Sequence, residues 1–297
     1  MEEFQKAIVS WKEATSAGKS EEAQTAAMQA LNLVAEESLR NPSPSLLLRQ
    51  EADNLELKCR WSEAEAVRRK VLALEDTTGN FGLIAKAQID LCNLLRLVSR
   101  LEEATQLACA ATDSARRTGI FPVVVMALRC EVRCSLERGD STRALAAAEE
   151  ALNLIEPGNL YDSMRAKALT TRARCLLANN DPTAAGVDLA ASWELLQAQS
   201  GDWMMNMPGP IWAMASWWEV KSQLERRQGN LDDAREAITR AIDYHRRNDG
   251  PYALLALAQA LEALGEISKA ADDLADEERA LDEAKSIRVN LQLPRSL

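Results

Sequence analysis

"RGDSTRALAAAEEAL", residues 138–152, decides the fold. A Gly is followed by a polar residue and, five places after the Gly, by an Ala, with small residues four and seven places beyond that Ala: Gly139, Asp140, Ala144, Ala148, Ala151. The same order recurs in "AGKSEEAQTAAMQAL" (17–31) and "QGNLDDAREAITRAI" (228–242). Weaker copies are "CRWSEAEAVRRKVL" (59–72), "SRLEEATQLACAAT" (99–112), "NDPTAAGVDLAASW" (180–193) and "GEISKAADDLADEE" (265–278). Their anchoring alanines are Ala23, Ala64, Ala104, Ala144, Ala185, Ala234 and Ala270, spaced by 41, 40, 40, 41, 49 and 36 residues. A near-constant period of this length means a repeat architecture.

Each copy reads as two antiparallel helices. Gly18, Gly139, Gly229 and Gly265 are expected to end the first helix, where a left-handed backbone costs Gly little. Asp140, Asn230 or Asp181 can cap the second helix, and Pro182 suits its first turn. The anchoring Ala is small because the paired helices cross closely there. Twelve residues earlier lies another mostly small position: Ala52, Cys92, Val132, Ala173, Ser222 and Ala258.

The pattern resembles the tetratricopeptide (TPR) superfamily, most closely through Gly139, Asp140, Ala144, Ala148 and Ala151, and through Gly229, Leu231, Ala234, Ile238 and Ala241. It departs from that family in lacking most first-helix aromatics and in its period of ~40 instead of 34 residues, which implies longer helices. The resemblance implies an all-α fold, an α-α superhelix (TPR-like solenoid) of about seven helical hairpins over 1–297. Residues 197–210 would be an irregular insertion between the fifth and sixth hairpins, and 271–297 a charged capping helix and tail. It also implies that first helices line a concave, partner-binding side.

Composition agrees with the helical reading. Of 297 residues 47% are hydrophobic and 27% charged, with only 12 Gly, 9 Pro and 4% aromatics. Ala, Leu, Glu, Arg and Gln are strong helix formers. No apolar run approaches the ~20 residues of a membrane span. The amphipathic, acidic start does not read as a signal peptide, and six Cys with no CxxC pair fit reduced thiols; a cytoplasmic protein is expected. A net charge of −10 argues against nucleic-acid and anionic-membrane partners.

The family's groove positions fall roughly 18, 15, 11 and 8 residues before each anchor. They pick out Lys86, Asn93 and Arg96, then Arg129 and Arg133, then Lys167 and Arg174, then Glu219, Gln223 and Arg226, and finally Tyr252, Gln259 and Glu262. The middle hairpins therefore turn Lys and Arg inward in an acidic chain. Such cations attract an acidic peptide, a C-terminal carboxylate or a phosphorylated segment. Alternatively they form an ordinary solvated face, or pair with Asp90 and Glu131.

"GDWMMNMPGPIWAMASWW" (201–218) is the stretch where the spacing breaks. A new helix should begin near Pro210 and run to Gln228. Its Trp and Met residues, with Trp193, either fill a wide gap between hairpins or form a second contact surface or homodimer interface, with Trp203, Met204, Met205 and Trp212 as its candidates.

Catalytic and cofactor sequence signals are weak. The single His245 sits late on a second helix, a position expected to be outward. Cys130 and Cys134 lie one turn apart with Cys175 expected nearby; packing is favoured over metal ligation, so no cofactor or metal is expected. Phosphate-loop, calcium-loop and helix-turn-helix patterns are missing. The expected function is a non-enzymatic interaction scaffold or adaptor that binds a peptide or protein segment in a locally basic groove. The alternatives are a peptide- or small-ligand sensor, or the TPR part of a larger regulator.

Overall fold

A computed structural model describes residues 43–155, 162–198, 208–248 and 250–293, with a few positions before residue 43. Residues 1–51 and 52–297 form two compact units. Ala23 and most of residues 197–210, Trp203, Met204 and Met205 among them, lie outside the described residues.

Twelve helices follow one another among the described residues, with no strand. They are α1 (Pro44–Leu57), α2 (Trp61–Thr78), α3 (Phe81–Leu97), α4 (Leu101–Arg116), α5 (Phe121–Glu137), α6 (Ser141–Asn153), α7 (Asp162–Ala178), α8 (Pro182–Ala198), α9 (Pro208–Gln228), α10 (Leu231–His245), α11 (Pro251–Ala270) and α12 (Leu274–Asn290). They pair in sequence as six hairpins, α1/α2 to α11/α12. None is long and apolar enough to cross a membrane.

One turn design joins every hairpin. The residue two places before the second helix is left-handed: Cys59 (φ 55°), Ser99 (63°), Gly139 (76°), Asn180 (62°), Gly229 (83°) and Asp272 (56°). The next residue's N–H reaches back to a first-helix carbonyl at 2.8–3.0 Å, from Arg60 to Leu55, Arg100 to Leu95, Asp140 to Ser135, Asp181 to Leu176, Asn230 to Glu225 and Asp273 to Ser268. This satisfies a carbonyl that the helix end would otherwise orphan. Only two of the six positions are Gly, so the turn's hydrogen bonds overcome the modest strain at the others. Asp140 and Asp181 cap their helices at the N–H of Arg143 (3.1 Å) and Ala184 (3.0 Å). Asn230, expected to do the same, instead donates to Glu225 Oε2 at 2.8 Å.

Five anchors behave as the repeat requires. Ala64, Ala104, Ala144, Ala185 and Ala234 are each fully buried, three residues into the second helix. The small residue twelve places earlier packs on the anchor's backbone. Cys92 Sγ donates to the Ala104 carbonyl at 3.2 Å, and Ser222 Oγ to the Ala234 carbonyl at 2.8 Å.

The last hairpin departs from the sequence reading. Gly265 does not end a helix, and Ala270 is no anchor: Gly265 is buried inside α11, and Ala270 is exposed at its last turn. The true turn is at Asp272, which puts Glu277 at the anchor position and Gly265 twelve residues before it. A Cβ on Gly265 would stand 3.7 Å from the Glu277 carbonyl and only 2.9 Å from Leu281 Cδ2. Gly265 is therefore the sixth crossing residue. The Gly was right as a signal of close approach and wrong as a signal of a turn.

Within residues 52–297 the first and last hairpins meet. The Trp61 indole N–H donates to the Leu291 carbonyl at 2.7 Å, and the Tyr252 hydroxyl donates to Glu56 Oε2 at 3.0 Å. Trp61, Leu291, Leu293 and Ile287 share one apolar cluster with α3 to α6. The segment read as a cap thus meets the second helix of the series.

In the described part of the Trp–Met stretch Ile211, Ala213, Met214, Ala215 and Trp217 are buried, whereas Trp212 is exposed. Trp193 and Trp217 stack with ring centroids 4.4 Å apart, and Trp218 meets both edge-on at 5.6 and 4.8 Å. The Trp217 indole donates to the Leu189 carbonyl at 2.9 Å, and Met214 is buried beside it. The wide gap between α8 and α9 is filled by these rings.

Replacing Gly265 by Val should cost about 1–3 kcal/mol by overpacking. Adding Leu281→Ala should recover much of that loss, because Leu281 is the side chain displaced. Urea unfolding of the single and double variants tests this; no recovery would mean that Gly265 is not a crossing residue.

Candidate functional site: a cavity inside the helical stack

All six first helices contribute to one cavity of about 520 Å³ within residues 52–297. Its wall is formed by Asp53 and Glu56 of α1, Asp90, Asn93 and Arg96 of α3, Arg129 and Arg133 of α5, Lys167, Thr170, Thr171 and Arg174 of α7, Trp212, Ser216 and Glu219 of α9, and Tyr252 and Gln259 of α11. Second helices add Arg68 of α2 and His245 of α10. The 40-residue repeat produces this convergence, because it returns the same helix face to the same side of each hairpin.

Nine of the thirteen expected groove residues line this space: Asn93, Arg96, Arg129, Arg133, Lys167, Arg174, Glu219, Tyr252 and Gln259. Lys86 does not; it is half exposed and pairs with Asp90 at 3.2 Å, one turn along α3. Gln223 lines a neighbouring cavity of about 490 Å³ with Arg226 and Glu262. Trp212, expected on a second surface, is exposed and also lines the main cavity, edge-on to His245 with centroids 5.6 Å apart.

His245 was expected outside and is only 3% exposed. Its Nε2 lies 2.7 Å from Glu219 Oε1, while Arg174 donates to Glu219 Oε2 at 2.8 Å and to Ser216 Oγ at 3.1 Å. Burial pushes the Glu219 carboxyl up, but His245 and Arg174 outweigh it and hold the group below its ordinary range. Arg68, Glu56, Asp53 and His245 escaped the sequence reading. Two lie on second helices, and the other two on a hairpin whose groove positions were not assigned.

The wall has two electrical halves. All four of its carboxylates are paired. Glu56 accepts from Arg68 Nε at 2.9 Å, Asp53 also pairs with Arg68, Asp90 pairs with Lys86, and Glu219 is held as above. The cations opposite are not matched in this way. Arg96 is bound to Glu137 at 2.8 Å, but Arg133 has only a neutral partner, Asn93 Oδ1 at 3.0 Å. Arg129 and Lys167 have no side-chain partner among the described residues. Burial, then the nearby charges of Arg133 and Arg174, lower Arg129 to about 10; burial and Arg129 also lower Lys167. Arg174 Nε is a buried donor with no acceptor. Arg129 and Lys167 are half-buried, and a charge drawn partly out of water without a partner is costly.

Because the folded state lowers the Glu219 pKa, the stability Glu219 contributes is present above the ordinary carboxylate range. It is lost as pH falls through the lowered value. The Glu219→Gln variant should lose less stability than wild type between about pH 6 and pH 3, as read by denaturant melts at each pH. Parallel losses would show that the Glu219 pairs carry no net stability.

No family model and no curated protein matches the sequence. Among solved structures, the apo form of RapI aligns over 98% of this chain and 99% of its own at 10% identity, with a TM-score of 0.65. The apo form of the quorum sensor NprR from B. thuringiensis covers 96% of this chain and 87% of its own at 11% identity and a TM-score of 0.49. A tetratricopeptide repeat protein from Parabacteroides merdae covers 84% and 97% at 14% identity and a TM-score of 0.45. The regular hairpins, their shared turn and the full-length match to RapI establish the fold: the chain is a TPR-like helical solenoid.

Proposed function

We propose that residues 52–297 bind a short anionic peptide inside the cavity, and that the protein works by this recognition rather than by catalysis. One observation carries the reading. Arg129 and Lys167 face a cavity with no counter-ion among the described residues, while every carboxylate of the same wall is paired. A ligand carboxylate supplies the missing charge. Arginine offers it a planar, bidentate grip, and charge-assisted hydrogen bonds are the stronger kind. The volume suits this ligand, since pockets for small molecules run to roughly 300–1,000 Å³.

Closure of the stack favours a ligand-sized occupant over a long partner segment. The contacts Trp61–Leu291 and Glu56–Tyr252 join the ends of the array. A ligand that bridges Arg129 on α5 and Lys167 on α7 ties consecutive hairpins together. That is a route from a bound peptide to a changed outer surface, and it favours a sensor over a passive scaffold.

Two outcomes test this. Arg129→Gln should make the ligand-free protein more stable, by about 0.5–2 kcal/mol, because a strained binding group is removed. A loss of stability would mean that Arg129 has a structural partner. Second, short acidic peptides with free C-terminal carboxylates should raise the melting temperature of the full chain, with about 2.7 kcal/mol gained at a hundredfold excess over Kd. The effect should fall with added salt and vanish in Arg129→Glu. Equal shifts from neutral, amidated peptides would overturn the anionic reading.

A further inference from the structure

Beside the cavity, under Asn93, three thiols meet. Cys130 Sγ lies 3.1 Å from Cys92 Sγ, and Cys92 Sγ lies 3.5 Å from Cys134 Sγ. All three are fully buried, and their sulfurs lie within 4.8 Å of one another. The sequence suggested a different trio: Cys175 is buried but lies outside the group. Cys92 joins instead, because α3 packs against α5 and brings the two faces together.

Packing accounts for Cys92, which occupies the crossing position that Ser222 fills elsewhere. It does not account for the charges around the group. Arg96 and Arg133 both act electrostatically on Cys130.

We propose that Cys92, Cys130 and Cys134 form a three-coordinate site for a soft monovalent metal ion of the Cu(I) class. Soft thiolates select such ions. Three sulfurs placed ~2.3 Å from one centre would stand ~4 Å apart, so the trio must spread by less than an ångström. The donor set disfavours a structural zinc site, which takes four ligands: among the described residues no His, Asp, Glu or further Cys joins the three, and the neighbouring oxygens, the Ala104 carbonyl at 3.2 Å from Cys92 Sγ and Asn93 Oδ1 at 3.9 Å from Cys130 Sγ, are neutral. Binding involves no change of oxidation state. The three thiol protons leave to solvent as metal–sulfur bonds form, and three thiolates on one monovalent ion leave two negative charges. Arg96 and Arg133 stand where those charges arise. Both, with Asn93, also line the cavity, which gives the ion a path in.

The test is anaerobic titration of the reduced full chain with Cu(I) against a competing chelator, with thiolate-to-metal charge-transfer absorbance as a second readout. One ion per chain is expected. Cys130→Ser and Cys134→Ser should weaken binding by more than the roughly hundredfold that loss of an outer hydrogen-bond partner costs. Cys109→Ser and Cys175→Ser should leave it unchanged. Cys92→Ser keeps the fold testable, since Ser222 makes the same bond to its anchor carbonyl, and it should also lose the ion. Unchanged uptake in Cys92→Ser and Cys130→Ser, or the same affinity in the triple variant, would overturn the site.

Discussion

Everything in residues 52–297 depends on how closely two helices can cross. At each crossing a small side chain on the first helix rests on the backbone of the second, twelve residues on, and the second helix starts from a left-handed turn. Ala52, Cys92, Val132, Ala173, Ser222 and Gly265 fill that place in successive hairpins, each no larger than its own crossing admits. Close packing of this kind leaves little tolerance for added volume. Six such crossings, repeated at nearly constant spacing, aim the same helix face inward six times.

Charge is distributed unevenly as a consequence. The exposed surface carries ion pairs between neighbouring hairpins, such as Arg116 with Glu150 and Arg246 with Glu283, each at 2.9 Å or less. Pairs so exposed contribute little each, roughly 0–1 kcal/mol. Inside, the same residue types weigh far more, because water no longer screens them. The paired acids around Arg68 and His245 make one wall self-sufficient. The wall of α5 and α7 keeps unmatched cations, and the thiol trio lies beside it with Arg133 of α5 and Arg96 of α3 near Cys130.

Much of this was legible in the sequence. The anchors at Ala64, Ala104, Ala144, Ala185 and Ala234 and the inward run Asn93, Arg96, Arg129, Arg133, Lys167 and Arg174 follow from a single period. The misreadings share one cause. Gly265 and His245 were placed by the typical unit, but the last hairpin has a longer first helix and α10 turns its final residue inward. Residue type does not distinguish a Gly that permits a turn from a Gly that permits an approach; only the neighbour, Leu281, does that.

Local chemistry therefore determined the helices, their left-handed turns, the small crossing residues and the inward direction of the cations, because each depends on residues fewer than about twenty apart. Tertiary structure decided the rest. Trp61 meets Leu291 across 230 positions, Tyr252 meets Glu56 across 196, and Cys92 joins Cys130 from a different hairpin. Those contacts join different hairpins, so no single repeat carries them.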